Sequence, residues 1–233
     1  MTRWPVEQVH VVVPARDERC LLGRQLTAIE STMRHARHHR PQLSCSVTVV
    51  LDGCTDGSSE VVAGFPAVHA VAVQLGCVGT ARRLGIEDAR GSHPSDPAHT
   101  WVACTDADSE VPNHWLHTQL ELAASGSQLV LGTVRPDPQD LEPGRLAHWW
   151  SRHRLRDGHP YIHGANLGFT LAAYDAAGGF RDVADGEDVD LVRRIKALGV
   201  SWTATSRMPV LTSGRLGGRA PAGFAAYLLS LAP

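Results

Sequence analysis

The sequence predicts an α/β fold with a mostly parallel central sheet flanked by helices. Short runs rich in valine alternate with segments of helical periodicity, a pattern typical of strands joined by crossover helices. Polar turns follow several of these runs, and the carboxyl ends of parallel strands are where ligands collect. The 233 residues are enough for one substantial core, so we expect a single domain over residues 1–233.

The predicted elements alternate regularly along the chain. A valine-rich run stopped by Pro14 predicts a first strand that ends in a loop. Apolar residues then recur at helical spacing, and basic residues at 34–40 complement the dipole at the end of that helix. Strands are predicted over residues 9–13, 46–51, 68–73, 101–105 and 128–134. Helices are predicted over residues 21–33 and 115–124, from residue 80, and from residue 187 to Gly199.

The composition excludes several classes of protein. A formal net charge of −2 gives no global attraction to nucleic acid or to anionic membranes. The five cysteines are widely spaced without a Cys-X-X-Cys pair, which predicts reduced thiols and neither a disulfide framework nor a structural zinc site. No signal peptide and no apolar run of about 18 residues is visible. We therefore expect a soluble, cytoplasmic protein with no nucleic-acid partner and no membrane span.

The pair Asp106 and Asp108 is the most informative feature of the sequence. It directly follows the strand predicted at residues 101–105. Hard divalent cations take oxygen ligands, and Mg²⁺ is often bound by one or two carboxylates while substrate phosphates complete its shell. The pair therefore indicates a cation and a phosphorylated substrate. The alternative is that Asp108 and Ser109 cap a helix near Pro112.

Six short motifs, including this pair, occur in order along the chain. They lie at residues 13–18 (VPARDE), 50–58 (VLDGCTDGS), 79–82 (GTAR), 106–108 (DAD), 163–166 (HGAN) and 187–188 (ED). Over about residues 8–200 the chain resembles the family 2 glycosyltransferases of the GT-A fold, the nucleotide-diphospho-sugar transferases. The resemblance implies a Rossmann-like sheet, with a nucleotide-binding half at about residues 8–110 and an acceptor-binding half at about 111–233.

The resemblance also implies which residues contact the nucleotide. In relatives the loop after the first strand cradles it, which here assigns Pro14, Ala15, Arg16 and Glu18. The acidic residue at the Asp52 position typically accepts a hydrogen bond from the base imide, which favours a UDP-sugar. Leu51 stands where relatives commonly have a second acidic residue, so a GDP-sugar stays open.

Arginines are implied near the diphosphate. Arg82 matches a family Ala-Arg-Asn element in which Arg83 replaces the asparagine, so either arginine is a candidate. Both lie at a predicted helix N-terminus, which itself suits phosphate. Arg215 or Arg219, in a glycine-rich basic loop, is a further candidate that would close over the diphosphate. The alternative is that this loop is solvated and binds nothing.

The family assigns the chemistry to acidic residues. By resemblance, Asp108 binds a divalent metal, Mn²⁺ or Mg²⁺, and Asp106 contacts the ribose or the water shell of that metal. The metal would neutralise charge on the departing nucleoside diphosphate. Asp188, beside Glu187, matches the base that deprotonates the acceptor hydroxyl in inverting relatives. A retaining outcome stays open, and the helix dipole alone also favours acidic residues at this position.

The acceptor side is less determined. His163, Gly164 and Asn166 match a family loop between donor sugar and acceptor, although the acceptor itself, a small molecule, glycan or lipid, and the oligomeric state stay open. Two other functions also stay open: a nucleotide-sugar-binding protein of this fold without turnover, and a phosphatase with an aspartyl nucleophile. The group His35, His38 and His39 is interpreted as a solvated basic helix end and not as a metal site.

Overall fold

The computed structural model describes residues 6–218 and 223–231, which form eight strands and eight α-helices. The strands are β1 (Gln8–Ala15), β2 (Ser44–Asp52), β3 (Val68–Val73), β4 (Thr100–Cys104), β5 (Ser109–Glu110), β6 (Leu129–Pro136), β7 (Leu167–Thr170) and β8 (Trp202–Thr212). The helices are α1 (Arg19–His39), α2 (Ser58–Ala63), α3 (Val78–Ser92), α4 (Trp115–Ala124), α5 (Pro143–Arg152), α6 (Leu171–Ala176), α7 (Glu187–Ala197) and α8 (Phe224–Ser230). None of the helices in these residues has both the length and the apolar character needed to cross a bilayer.

The strands form one sheet in the order β3-β2-β1-β4-β7-β6-β8-β5. β1 lies parallel to β2 on one side and to β4 on the other, so the chain reverses its direction of growth across the sheet at β1. Such a reversal is a topological switch point, and ligands of open α/β sheets bind there, beyond the carboxyl ends of the strands. The loops that follow β1 and β4 both start at this edge.

The central strand β1 is buried on both of its faces. Val9, Val11 and Val13 pack in a core cluster with residues of α1 and α4, whereas Val12 packs on the opposite face with residues of α3, α6 and α7. A strand covered on both faces is read in the sequence as a continuous apolar run. Gly85 allows α3 to approach the sheet closely, since a Cβ atom there would lie 2.6 Å from a methyl carbon of Val12.

The predicted fold class is confirmed, and the sheet also contains antiparallel pairings that were not predicted. Within the described residues four strand pairings are parallel, and three, β4–β7, β6–β7 and β5–β8, are antiparallel. The strands β5, β7 and β8 were not predicted. β5 has only two residues and β7 only four, and the pairing of β8 with β6 is interrupted between Thr205 and Val210, where Pro209 lies. The helix α5, which was not predicted either, begins at Pro143, since proline is tolerated in the first turn of a helix.

Candidate active site

The loops that follow β1 and β2 are joined to each other by hydrogen bonds. The Oδ1 atom of Asp17 accepts a hydrogen bond from the backbone N–H of Thr55 at 2.7 Å, and the hydroxyl of Ser58 accepts one from the backbone N–H of Glu18 at 3.0 Å. Asp17 has a φ of 49°, in the left-handed region that aspartate tolerates better than most residues. The two loops therefore form one rigid wall at the carboxyl edge of the sheet.

The predicted nucleotide contacts lie along this wall. Ala15 is buried, Pro14 is half-buried and Arg16 is exposed. Asp52 ends β2 and is 6% exposed, and its carboxylate accepts hydrogen bonds from two backbone N–H groups of the loop after β3, at 2.5 and 2.9 Å. A carboxylate has about four acceptor positions, so these bonds fix the side chain and still leave acceptor capacity.

The loop that carries Asp106 and Asp108 is held by a buried glutamine that the sequence analysis missed. The Nε2 of Gln25 donates to the backbone oxygen of Asp106 at 3.0 Å and to the hydroxyl of Thr105 at 2.9 Å, and its Oε1 accepts from the backbone N–H of Val111 at 3.3 Å. Gln25 lies on the buried face of α1, where an amide is tolerated only when it is partnered. The available signal was a polar residue at an apolar position of that helix.

Arg215 links two of the predicted site carboxylates. Its guanidinium donates to Asp108 at 2.9 Å and to both carboxylate oxygens of Glu18. Burial raises the pKa of Asp108 to about 7, and the charge of Asp106 adds to this effect against the opposing charge of Arg215. Glu18 is buried and Asp106 and Asp108 are half-buried, and carboxylates with this excess of negative charge form a donor set that suits a hard divalent cation. The other predicted arginine of this loop, Arg219, lies outside the described residues.

Arg82 joins the Asp106 loop to the start of α7. It is 2% exposed, and its guanidinium donates to Asp106 at 2.6 Å and to Glu187. Burial alone would lower the pKa of Arg82, but these two carboxylates raise it. A side chain on Gly164 would collide with the guanidinium. A diphosphate contact was predicted for this arginine, whereas here it holds two acidic segments together. Arg83 pairs with an acidic residue of its own helix at the surface.

The two acidic residues that begin α7 have different environments. Asp188 is half-buried, and its Oδ2 accepts a hydrogen bond from the backbone N–H of Gly164 at 2.7 Å, while its Oδ1 accepts one from Val189 at 2.7 Å. Glu187 is 8% exposed and pairs with Arg82. Burial raises the pKa of Glu187 against the opposing charge of Arg82. The predicted catalytic pair therefore divides into Asp188, fixed by backbone N–H groups, and Glu187, fixed by a cation.

Of the predicted acceptor-side residues, Asn166 lies in the core. It is fully buried, its Nδ2 donates to the carbonyls of Thr133 and Met208 at 2.8 and 2.9 Å, and its Oδ1 accepts from the indole N–H of Trp115 at 2.8 Å. Both of its N–H groups are used, so the predicted sugar contact is wrong for this side chain, and its role is to fix the loop. His163 is half-buried, and burial, with nearby histidines, lowers its pKa to about 4, so the ring is neutral at pH 7.

Solved structures share this fold. The mannosyltransferase PcManGT from Pyrobaculum calidifontis, in complex with GDP-Man and Mn²⁺, has a TM-score of 0.63 and 21% identity over 88% of this chain and 56% of its own. Residues 1–349 of S. aureus TarS have a TM-score of 0.60 and 13% identity, over 89% of this chain and 60% of that fragment. Glucosyl-3-phosphoglycerate synthase from Mycobacterium tuberculosis, in complex with UDP, has a TM-score of 0.55 and 15% identity, over 86% of this chain and 70% of its own. This chain thus spans less than two thirds of the first two.

At these identities the similarity defines a class, the GT-A fold of glycosyltransferases. The family model described as glycosyl transferase family 2 matches residues 10–186, which is most of the chain. The chain therefore belongs to glycosyl transferase family 2, and the predicted family is confirmed. No curated protein sequence matches the chain.

Proposed function

We propose that this protein transfers a sugar from a nucleoside-diphosphate donor to an acceptor hydroxyl, in a metal-dependent reaction that inverts the anomeric carbon. The observation that carries the proposal is the contact of Arg82 with both Asp106 and Glu187. Because one guanidinium contacts both segments, the acidic loop after β4 and the acidic start of α7 are neighbours in space, although they are far apart in the sequence. Such an arrangement would place carboxylates that can bind a metal and a carboxylate that can act as a general base around one substrate.

The donor is a UDP-sugar or, second, a GDP-sugar. Asp52 favours uracil because it matches the family position that accepts a hydrogen bond from a base imide, and a carboxylate can accept such a bond. The wall formed by the loops after β1 and β2 would contact the rest of the nucleotide through Pro14, Ala15 and Arg16. Among proteins of this fold, one solved structure contains GDP-Man and another contains UDP, which supports both candidates.

The carboxylates of Asp108 and Asp106 would hold Mn²⁺ or Mg²⁺. When bound, such a cation supplies Lewis-acid stabilisation of negative charge on the diphosphate leaving group. Arg215 supports this assignment, since a guanidinium already balances part of the charge of Asp108 and Glu18. Phosphate oxygens of the donor would compete for the same guanidinium. If the guanidinium of Arg215 moved to the diphosphate, Asp108 and Glu18 would lose their cationic partner, which would favour binding of a divalent cation.

Asp188 would act as the base of a direct displacement. The acceptor hydroxyl oxygen attacks the anomeric carbon while the bond from that carbon to the diphosphate oxygen breaks, and the hydroxyl proton passes to the carboxylate of Asp188. The hydrogen bond from the backbone N–H of Gly164 keeps the carboxylate in one orientation, which a base needs in order to lie within reach of the proton. Attack opposite to the leaving group gives inversion.

A thermal-shift panel tests the donor class. We expect UDP or GDP, and the corresponding sugar nucleotide, to raise Tm in the presence of Mn²⁺ and to have little effect without it. A ligand at 100 times its Kd stabilises the folded state by about 2.7 kcal/mol, which corresponds to a rise of roughly 5–10 °C for a domain of this size. ADP is the control for unspecific phosphate binding.

The panel and two activity assays, for release of nucleoside diphosphate and for release of phosphate, separate the alternatives. If UDP, GDP and their sugars all leave Tm unchanged with Mn²⁺ present, the proposal is wrong. Binding without release of nucleoside diphosphate from any sugar donor would indicate a binding protein without turnover. Release of phosphate from simple phosphomonoesters, without any nucleotide binding, would indicate a phosphatase.

A further inference from the structure

Three histidines from two helices meet at the end of α1 that lies away from the candidate active site. His35 and His39 are four residues apart on α1 and therefore project from the same face, and His117 comes from α4. One ring nitrogen of each histidine lies within 4.8 Å of the other two. At 1.5 Å of rise per residue, this histidine trio lies on the order of 25 Å along α1 from Glu18.

Packing between α1 and α4 brings the histidine trio together. The hydroxyl of Thr32 accepts a hydrogen bond from the backbone N–H of Leu116 at 3.0 Å, and Arg40 donates to the backbone oxygen of Leu120 at 2.9 Å. These bonds flank the trio on both helices. The ring centroids of the trio are 4.3–5.4 Å apart. The three histidines are therefore brought together by the packing of α1 against α4, and their proximity does not depend on the conformation of a single surface side chain.

A carboxylate orients one ring of the trio. The Oε1 of Glu121 lies 3.4 Å from the Nε2 of His117, and its Oε2 accepts from Arg207 at 2.7 Å. The Nδ1 of His117 is buried and has no hydrogen-bond partner among the residues that the structure describes. A carboxylate on one ring nitrogen makes that nitrogen the N–H donor and leaves a lone pair on the other, which is the arrangement of histidines at many metal sites.

We propose that the histidine trio binds one transition-metal dication of the Zn²⁺ type and ties the end of α1 to α4. Imidazole nitrogen suits Zn²⁺, Ni²⁺ and Cu²⁺, whereas Mg²⁺ and Mn²⁺ prefer oxygen. With Zn–N bonds of about 2.0–2.1 Å, tetrahedral ligand nitrogens stand about 3.3 Å apart, and rotation of the half-buried and exposed rings closes the remaining distance. Three protein ligands leave the fourth position to water. The site is separate from the carboxylates at the carboxyl edge of the sheet.

Calorimetric titration of Zn²⁺ into tag-free protein in an excess of Mg²⁺ tests this proposal. The Mg²⁺ occupies carboxylate sites that would otherwise take Zn²⁺, and removal of any affinity tag excludes added histidines. We expect one equivalent of Zn²⁺ to bind and to raise Tm. Replacement of a partner in the outer shell commonly costs about 10–100-fold in metal affinity, so Glu121→Gln is expected to weaken binding by at least about tenfold. His39→Ala and His117→Ala are expected to weaken it further.

His38→Ala is the matched control. His38 is exposed and belongs to the same helix end, but it is not a member of the trio, so its variant should bind Zn²⁺ as the unmodified protein does. Because His39 is also exposed, its replacement should leave the metal-free Tm unchanged, which separates loss of a ligand from loss of the fold. The proposal is overturned if no Zn²⁺ binds in excess Mg²⁺, or if His39→Ala and His117→Ala bind it unchanged.

Discussion

Replacing Asp188 by Asn is expected to lower kcat for release of nucleoside diphosphate from the sugar donor by about 10²–10⁴-fold, the usual contribution of a general base. The amide oxygen of Asn can still accept the hydrogen bond that the backbone N–H of Gly164 now donates to the carboxylate, so the loop should keep its place. What is lost is the ability to take a proton. The Kd of the donor should therefore change little.

Asp190→Asn is the control for this variant. Asp190 lies in the same first turn of α7 and pairs with Arg194, four residues further on. Its replacement removes the same charge from the same helix terminus but not a group beside Gly164. We expect nearly unchanged kcat. If both variants lose activity equally, or if Asp188→Asn retains kcat, then Asp188 serves the helix and the loop and is not the base.

Replacing Arg82 by Met is expected to destabilise the fold by about 3–5 kcal/mol, because it leaves a buried carboxylate without its cation. The side chain of Glu187 is 10% exposed and that of Asp106 is 33% exposed, so most of the penalty arises at Glu187. The free energy of unfolding from urea titration measures the loss. Donor binding should weaken as well, since the Asp106 loop loses its link to α7.

The neighbouring residue provides a matched control for this loss of stability. Arg83 is also an arginine of α3, but its ion pair with Glu87 is at the surface, with side chains 41% and 50% exposed. Exposed pairs of this spacing contribute about 0.3–0.5 kcal/mol. The free energy of unfolding of Arg83→Met should therefore be close to that of the unmodified protein. A loss below about 1 kcal/mol for Arg82→Met would mean that the buried network does not stabilise the fold in solution.

The sequence was most informative where the relevant residues are neighbours in the chain. The strand and loop around Asp106 and Asp108 were predictable, because a buried parallel strand has a continuous apolar run and its ligand-side loop follows directly. The family and the fold class followed from such local motifs. The antiparallel strand β7 could not be predicted in this way, because four residues are too few to establish a periodicity of apolar residues.

Contacts between distant segments were not predictable from spacing. Arg82 lies 105 residues from Glu187, and Arg215 lies 107 residues from Asp108. A motif match suggested a phosphate contact for Arg82, and a glycine-rich basic loop suggested one for Arg215, but no local pattern indicates which carboxylates a side chain will contact. The buried amide of Asn166 differs in the same way from its predicted role, since its three partners come from three separate elements. The trio completed by His117 also depends on the packing of two helices.

Titration of UDP and GDP in the presence and absence of Mn²⁺, with the unmodified protein, Asp108→Asn and Glu110→Gln, tests the central proposal most directly. The side chain of Asp108 is 19% exposed, whereas that of Glu110, two residues further on, is 41% exposed and pairs with Arg24. We expect Mn²⁺ to strengthen nucleotide binding in the unmodified protein and in Glu110→Gln, and we expect this dependence to be lost in Asp108→Asn. Nucleotide binding that is independent of Mn²⁺, or that keeps its Mn²⁺ dependence in Asp108→Asn, would contradict the proposal.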